Sequence, residues 1–381
     1  MDTGFGSLQL YSACRVEAAH HFKVGGSHCI DLEGSGFLVE FPENDSRLAL
    51  VTNRHIADAV FYDEDLNDGS SLTSVRVQWW QSKALRLEHT IVNPRPLYNV
   101  DPLIDVAVIP IASTPDARIE IVGELFGDLD QFVDENSAEE FAFEHAISWE
   151  NLSECESLWS QLEPGEFVVF PGYPVWHDHL QIRPVMRSGL IASDPQTDYR
   201  STSGVRTKKD SSHQVLFDAY STSGNSGSPV YVAQRGLPPA DLPFTFADGS
   251  PGLRFQLGFH RYRRSFLVGI NASHYNDTGI LHHNEHAGLS RMHKLSVIMD
   301  ILRANRGTYG PESRQLKVSI PVPDGAKRNA KKRAKAARDK VIVALHQQGT
   351  SYRAIAAEVG CSTSTVGKVV RQHTGGRIHK E

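Results

Sequence analysis

The sequence has few cysteines and no paired ones. Only four of its 381 residues are cysteine, and no two of them form a CxxC pair. We therefore expect free thiols in a reducing compartment rather than a disulfide framework. No basic segment followed by an apolar run opens the chain, and no apolar run is long enough to cross a bilayer, so we expect neither a secretory signal nor a membrane span. These absences predict a cytoplasmic protein.

Positive charge is scarce along most of the chain and concentrated near its end. The formal net charge is −6, yet residues 326–381 hold thirteen Lys or Arg and only three acidic residues. This tail therefore carries +10 and the preceding residues carry −16. Such asymmetry predicts an acidic body followed by a tail that faces nucleic acid or a membrane surface.

Helical periodicity is also scarce over residues 30–290. Short runs rich in Val, Ile, Phe and Tyr alternate there with Gly, Pro, Asn, Asp and Ser, as in "GFLVEF", "LALVTN", "DVAVIPI" and "FLVGINAS". This pattern predicts a mainly β barrel or sandwich. Within residues 1–305 we expect an insertion near 134–162, a long loop near 235–257 and a closing helix in 290–305. Residues 306–326 are interpreted as a linker, and 327–381 as a small all-α domain.

Three short motifs carry the chemistry. His55 follows a strand in "LALVTNRHIAD", Asp105 begins one in "DVAVIPI", and Ser226 stands between glycines in "GNSGSPV". A serine hydroxyl becomes nucleophilic when a base takes its proton and a third group orients that base. A histidine, an acid and a serine in this order therefore indicate a catalytic triad, although each motif alone is more often an ordinary turn or strand end.

These motifs resemble those of the chymotrypsin-fold serine peptidases, especially the staphylococcal glutamyl endopeptidases and the high-temperature-requirement proteases. The resemblance covers roughly residues 30–305 and implies two β-barrels with the site between them. It assigns the oxyanion hole to the backbone N–H groups of Gly224 and Ser226. Asn225 stands where zymogen-type relatives carry an acid, so we expect no activation by an N-terminal ion pair.

The same resemblance places Tyr220, Ser221 and Asn271 near the pocket for the side chain that precedes the cut. Glutamyl endopeptidases have a histidine where Asn271 stands, which weakens any expectation of Glu preference. No acid occupies the place that Arg or Lys preference requires. The histidine-rich stretches "HHNEH" (282–286) and "HDH" (177–179) match no known ligand spacing, so we expect no metal and no cofactor.

The tail has the pattern of a helix-turn-helix. "GTSYRAIAAEVGCSTSTVGKVV" resembles the segment of resolvase/Hin-type recombinases and implies a recognition helix over Ser362–Arg371. Ile355, Ala356, Val359, Val366, Val369 and Val370 supply its apolar face, and Ser351 and Ser362 are placed as N-caps. The expected DNA contacts are Thr363, Ser364, Lys368 and Arg371 in the groove, with Lys331, Lys332 and Arg333 on phosphates. A protein-interaction module remains the alternative.

The leading hypothesis is an intracellular serine endopeptidase with a DNA-binding tail, in a bacterial regulatory, phage-related or defence role. It has a protein or peptide substrate, and a homo-oligomer is a reasonable assembly because one such module binds DNA weakly. A second hypothesis is a transcription regulator whose protease-like body is a sensor or cuts only itself. A third is an inactive scaffold. The sequence leaves the substrate, DNA site and trigger open.

Overall fold

The computed structural model describes most, but not all, of the chain. The described residues are 4–22, 28–43, 45, 47–61, 70–80, 86–112, 120–121, 146–200, 206–208, 211–236, 240–242, 246, 255–257, 262–277, 285–307, 314–319, 338–359 and 362–373. They fall into two compact units. The first comprises residues 1–122 and 126–320, and the second comprises 123–125 and 321–381.

The first unit opens with a nine-stranded sheet. Its strands pair in the order β6-β7-β3-β2-β1-β4-β5-β17-β8. Their bounds are β1 Ala13–Phe22, β2 His28–Glu40, β3 Arg47–Thr52, β4 Ser71–Trp80, β5 Arg86–Val92, β6 Leu97–Tyr98, β7 Ala107–Ala112, β8 Glu120–Ile121 and β17 Arg314–Ser319. Burial alternates along β1, as a strand with one face on a core requires, whereas all six residues of β3 are buried.

A closed barrel of six strands completes the first unit. Its strands follow one another as β10-β11-β16-β15-β12-β9, and β9 pairs again with β10. Their bounds are β9 Phe167–Gly172, β10 Val185–Ile191, β11 Gln214–Asp218, β12 Pro229–Val232, β15 Phe266–Asp277 and β16 Glu285–Lys294. The largest hydrophobic cluster draws on both sheets, for example on Phe37 and Phe170, and a second cluster around Val16 and Trp79 belongs to the nine-stranded sheet. The expected mainly β class is confirmed.

The helices of the first unit are short. They are α1 Ser7–Tyr11, α2 Arg54–Ala57, α3 Trp149–Ser157 and α4 Leu295–Ala304, with one 3₁₀ turn at Trp159–Gln161. Helix α4 is the expected closing helix and buries six apolar side chains. It begins at Leu295 because the preceding residues continue β16. None of the helices in the described part of the chain combines the length and the apolar character needed to cross a lipid bilayer.

Three expectations about the connections need correction. The part of the predicted insertion that is described, 146–162, belongs to the core, because α3 buries Leu152 and Cys155 there; residues 134–145 lie outside the described residues. The expected loop 235–257 contains β13 Ala240–Leu242 and β14 Phe255–Leu257, which pair with each other. The linker interpretation of 306–326 is wrong for β17, which pairs with β5 over six residues.

The second unit consists of three helices in its described part. They are α5 (338–347), α6 Tyr352–Val359 and α7 Thr363–His373. The predicted apolar positions form its core: Ile342, Ile355, Ala356, Val366, Val369 and Val370, with Val343, Leu345 and Val359 packed against them. The Ser351 hydroxyl accepts from the Ala354 amide and the Ser362 hydroxyl from the Thr365 amide, so both predicted N-caps are confirmed. Gly360 and Cys361 lie outside the described residues.

Candidate active site and nucleic-acid interface

His55 lies on the short helix α2, directly after the buried strand β3. Its Nδ1 is 2.7 Å from Asp105 Oδ2, and its backbone N–H donates to Asp105 Oδ1 at 2.9 Å. A carboxylate oxygen accepts hydrogen bonds, so Nδ1 carries a proton and donates it to Asp105. The His55 side chain is 23% exposed while that of Asp105 is 1% exposed. The ring is thus oriented by a buried acid and is itself partly exposed.

Asp105 is held from both sides of its backbone. Its carbonyl oxygen accepts from Asn53 Nδ2 at 2.8 Å, and its N–H donates to His293 Nε2 at 3.3 Å. His293 belongs to β16 of the closed barrel and is fully buried. Burial lowers the pKa of His293 to about 4, against an opposing attraction to Asp105. Its ring is therefore neutral near neutral pH, which leaves Nε2 able to accept the bond.

Ser226 lies on the turn between β11 and β12, and the geometry of this turn explains its two flanking glycines. Gly224 and Gly227 adopt φ values of 90° and 89°, which favour glycine. A Cβ at Gly224 would overlap the carbonyl oxygen of Tyr173, and one at Gly227 would overlap that of Ser35. The segment "GNSGS" is therefore small because neighbouring backbone packs directly against it.

The same stretch of β2 touches both the Ser226 turn and the His55 segment. The Ser35 N–H donates to the Ser226 carbonyl at 2.7 Å, and the Ser35 carbonyl accepts from Thr52 Oγ1 at 2.8 Å. At Gly34, a Cβ would overlap Ile56 Cδ1 and lie 2.9 Å from the Ser226 carbonyl oxygen. The Ser226 turn and the helix that carries His55 thus both pack against Gly34 and Ser35 of β2. Sequence reasoning singled out His55, Asp105 and Ser226 but not the supporting Ser35.

The two predicted oxyanion-hole amides belong to peptide groups whose carbonyls are hydrogen-bonded. The Ser223 carbonyl, in the peptide of the Gly224 amide, accepts from the Val175 N–H at 3.0 Å. The Asn225 carbonyl, in the peptide of the Ser226 amide, accepts from the Ser228 N–H at 3.1 Å. Because N–H and C=O point in opposite directions in a trans peptide, both amides are aimed away from these partners.

The three predicted pocket residues differ in accessibility. Tyr220 is 55% exposed, and the Arg187 guanidinium lies 5.6 Å from its ring centroid and donates to its carbonyl. Ser221 and Asn271 are buried and bonded to each other, with Asn271 Nδ2 donating to Ser221 Oγ at 3.0 Å. Among the three, Tyr220 is the residue whose side chain is open to solvent.

Where the structure describes the two histidine-rich stretches, their rings form hydrogen bonds to backbone carbonyls. His177 Nδ1 is 2.8 Å from the Pro174 carbonyl and His179 Nε2 is 2.7 Å from the Val175 carbonyl. The two rings lie 4.2 Å apart between centroids and are tilted at 47° to each other. His282 and His283 lie outside the described residues, as does the side chain of His286. Within the described part of the chain, no three His, Cys, Asp or Glu side chains are grouped as metal ligands.

In the second unit, α7 presents the predicted nucleic-acid contacts. Thr363, Ser364 and Lys368 are exposed on this helix. Helix α7 begins at Thr363 because Ser362 is its N-cap, so the recognition helix is one residue shorter at its start than predicted. The side chain of Arg371, and all of Lys331, Lys332 and Arg333, lie outside the described residues.

Fold and site together define a mainly β unit of two sheets, one of them a closed barrel, followed by a unit whose described part is three helices. Residues 340–373 match the family model described as a helix-turn-helix domain. No curated protein matches the chain. The expected resemblance is confirmed at the level of fold.

Several solved structures are similar to the first unit. A thermostable serine protease, AL20, from an extremophilic microorganism shares 10% identity at a TM-score of 0.38, over 79% of this chain and 100% of its own. The protease Anisep from Arthrobacter nicotinovorans shares 11% sequence identity at a TM-score of 0.36, over 78% of this chain and 96% of its own. The scabies mite inactivated protease paralogue S-D1 shares 11% sequence identity at a TM-score of 0.34, over 79% of this chain and 94% of its own. Such scores say nothing about activity, and the fold stands on the strand pairing described above.

Proposed function

We propose that this protein is an intracellular serine endopeptidase with a DNA-binding C-terminal domain. The observation that supports the enzymatic part is the His55–Asp105 pair, joined at 2.7 Å, beside a turn that carries Ser226 between two glycines of positive φ. A partly exposed imidazole that is oriented by a buried acid is what a general base for a serine requires.

In the proposed reaction, Ser226 Oγ bonds to the carbonyl carbon of the substrate peptide and its proton passes to His55 Nε2. The carbonyl electron pair moves onto oxygen, where the Gly224 and Ser226 amides stabilise it. The intermediate then collapses, the C–N bond breaks, and the leaving amine takes the proton from His55. Water, activated by the same base, releases the acyl group. Asp105 keeps the imidazole in one tautomer throughout.

The nucleic-acid part of the proposal is supported by the helix-turn-helix match over 340–373 and by the +10 charge of residues 326–381. Lysine and arginine near phosphates release counterions, which drives binding without sequence preference. Side chains on α7 would then read base edges in the major groove. Binding to DNA would bring the peptidase to proteins that are themselves bound to DNA.

The test is labelling with a fluorophosphonate, which reacts with activated serines. Wild type, Ser226→Ala and His55→Ala are each incubated with the probe, with and without duplex DNA. We expect labelling of wild type alone, at Ser226, and a rate that changes with DNA if the tail controls the site. A wild type that stays unlabelled in both conditions contradicts the enzymatic proposal and favours the scaffold hypothesis.

The same variants address the self-cleaving regulator. Release of the C-terminal unit from wild type but not from Ser226→Ala during storage would favour that alternative. Intact chains in both, together with probe labelling of wild type, favour an endopeptidase that acts on other proteins.

A further inference from the structure

Asn271 forms hydrogen bonds to the turn that carries Ser226 (residues 221–228) through both its backbone and its side chain. It lies in β15, and its N–H donates to the Ser228 carbonyl at 2.8 Å while its carbonyl accepts from the Gly227 N–H at 2.9 Å. Its Nδ2 donates to Ser221 Oγ at 3.0 Å and to the Asn225 carbonyl at 2.8 Å. The side chain is fully buried. It is therefore built into the turn, and no surface of it is left for a substrate.

The bond to Asn225 bears on the reacting centre. The Asn225 carbonyl and the Ser226 N–H belong to one planar peptide group and point in opposite directions. Whatever fixes the carbonyl therefore fixes the direction of the N–H. Two donors fix it here, the Ser228 N–H and Asn271 Nδ2, and Asn271 is the one that acts through a side chain.

The orientation of the Asn271 carboxamide follows from its partners. A backbone carbonyl only accepts hydrogen bonds, so the NH₂ group and not the oxygen must face Asn225. That choice leaves Asn271 Oδ1 buried with no hydrogen-bond donor among the described residues. An unsatisfied buried oxygen destabilises the folded state. The fold keeps the amide in this orientation despite that cost, which fits a functional demand on the Asn225 peptide.

The other oxyanion-hole amide is aligned by different means. The peptide of the Gly224 amide is held by the Val175 backbone N–H, and no side chain is needed for that bond. A substitution at Asn271 therefore disturbs one of the two amides and leaves the hydrogen bond behind the other in place.

We propose that Asn271 is a positioning residue of the oxyanion hole, which aims the Ser226 amide by holding the Asn225 carbonyl, rather than a residue of the substrate pocket. This inference rests on the proposed serine peptidase function. On this inference, residues other than Asn271 select the substrate side chain that precedes the cut. Of the predicted pocket residues, Tyr220 is the exposed one.

The experiment measures two reactions of the same site. Phosphonylation by a fluorophosphonate places negative charge on an oxygen and needs the oxyanion hole. Alkylation by iodoacetamide, followed in a Ser226→Cys background by peptide mass spectrometry, needs the thiolate and His55 but no oxyanion. The variants are Asn271→Ala and Asn271→Leu, the second to preserve volume. The control is Gln196→Leu, which removes a carboxamide that likewise donates to two backbone carbonyls, those of Trp159 and Leu162.

Outright loss of one oxyanion donor costs about 10²–10³ in rate. For the Asn271 variants we expect phosphonylation slowed by about 10–10²-fold, because the Ser228 N–H still holds the carbonyl. Alkylation should stay within about twofold of the Ser226→Cys parent, and Gln196→Leu should match its parent protein in each reaction. A merely structural defect would slow both reactions together.

Three outcomes overturn the inference. Unchanged phosphonylation in a folded Asn271→Leu protein rejects the positioning role while the proposed function stands. Equal losses in both reactions assign Asn271 to general support of the turn. An unlabelled wild type rejects the proposed function itself, and the inference with it.

Discussion

The amide of Ser35 donates to the carbonyl of Ser226 across 2.7 Å, and the Ser35 hydroxyl donates to the carbonyl of Gly224 across the same distance. Ser35 belongs to the nine-stranded sheet, while Ser226 precedes a strand of the closed barrel. One residue of the first sheet therefore holds the turn that carries Ser226 at two points. The site is a product of the packing between the sheets, and it should respond to changes in that packing.

The tight contact at Gly227 gives a stability prediction. Gly227→Ala combines a positive φ, which costs a side-chain-bearing residue about 1–2 kcal/mol, with overlap against the Ser35 carbonyl, which adds about 1–3 kcal/mol. Gly165→Ala is the matched control, since Gly165 has φ 82° but open space around it. All five tryptophans precede residue 321, so urea unfolding followed by tryptophan fluorescence reports the first unit.

We expect the free energy of unfolding to fall further in Gly227→Ala than in Gly165→Ala. Equal losses in the two variants would mean that the turn can move away from Ser35, and that the contact does not constrain it.

The His55–Asp105 pair gives a prediction on activity. Asp105→Asn keeps the shape of the side chain but can offer an N–H to His55 Nδ1, which favours the tautomer with the proton on Nε2. A base in that tautomer cannot take the Ser226 proton, and we expect the labelling rate to fall by about 10³–10⁴-fold. The tryptophan unfolding curve checks that the fold survives. A loss below tenfold would show that Asp105 does not orient the base.

His293 gives a prediction on pH. Its pKa in the folded protein is about 4, below the value near 6.5 of an unfolded histidine, because burial disfavours the charged ring. Between these values the unfolded chain binds the proton and the folded chain does not. Stability therefore falls as the pH drops from about 6.5 to about 4, by on the order of 3 kcal/mol from this residue. Asp105, His213 and Arg291 are the charged or titratable groups that act on it.

The measurement compares urea unfolding at pH 7, 5.5 and 4.5 for wild type, His293→Gln and, as control, the exposed His179→Gln. Glutamine does not titrate, so the His293 variant should lose less stability over this range than wild type. Parallel curves would show that His293 takes up its proton at the same pH in both states.

Local motifs explain why so much of the site could be predicted. His55, Asp105 and Ser226 each lie in a segment whose turn or strand end is set by its immediate neighbours, and the glycines around Ser226 are visible in any reading of the sequence. The supporting residues have no such signal. Ser35 reaches Gly224 across 189 positions, and Asp105 reaches His293 across 188. No periodicity or spacing relates residues so far apart.

The fold was predictable to a similar depth. Runs of β-branched residues marked most strands, and helical spacing marked α4 and the three C-terminal helices. Strand β17, "RQLKVS", has alternating polar residues in a segment rich in Gly and Pro, and its partner β5 lies more than 200 positions away. Only tertiary pairing makes it a strand. The burial of Asn271 likewise follows from the β15 contact and not from its sequence neighbours.

The exposed Lys368 on α7 gives a prediction on DNA binding. If it contacts a phosphate, Lys368→Ala should weaken binding to all duplexes by a similar factor and lower the slope of log K against log salt by about 1. Fluorescence anisotropy over a salt series measures both. The comparison variant is Lys340→Ala on α5, whose effect shows whether that helix also touches the backbone. An unchanged slope for Lys368→Ala would favour a protein partner for α7 over DNA.

The pairing of β17 also determines where the chain can be cut. In the sheet, β17 lies between β5 and β8. A fragment that stops at residue 305, where composition first changes, would uncover a row of backbone N–H and C=O groups along the six residues of β5 that pair with β17. Open rows of this kind recruit strands from other molecules and lead to aggregation. A fragment that stops at 320 would keep the row covered. The segment that the sequence predicts to be a linker therefore protects the first unit from aggregating with other copies of itself.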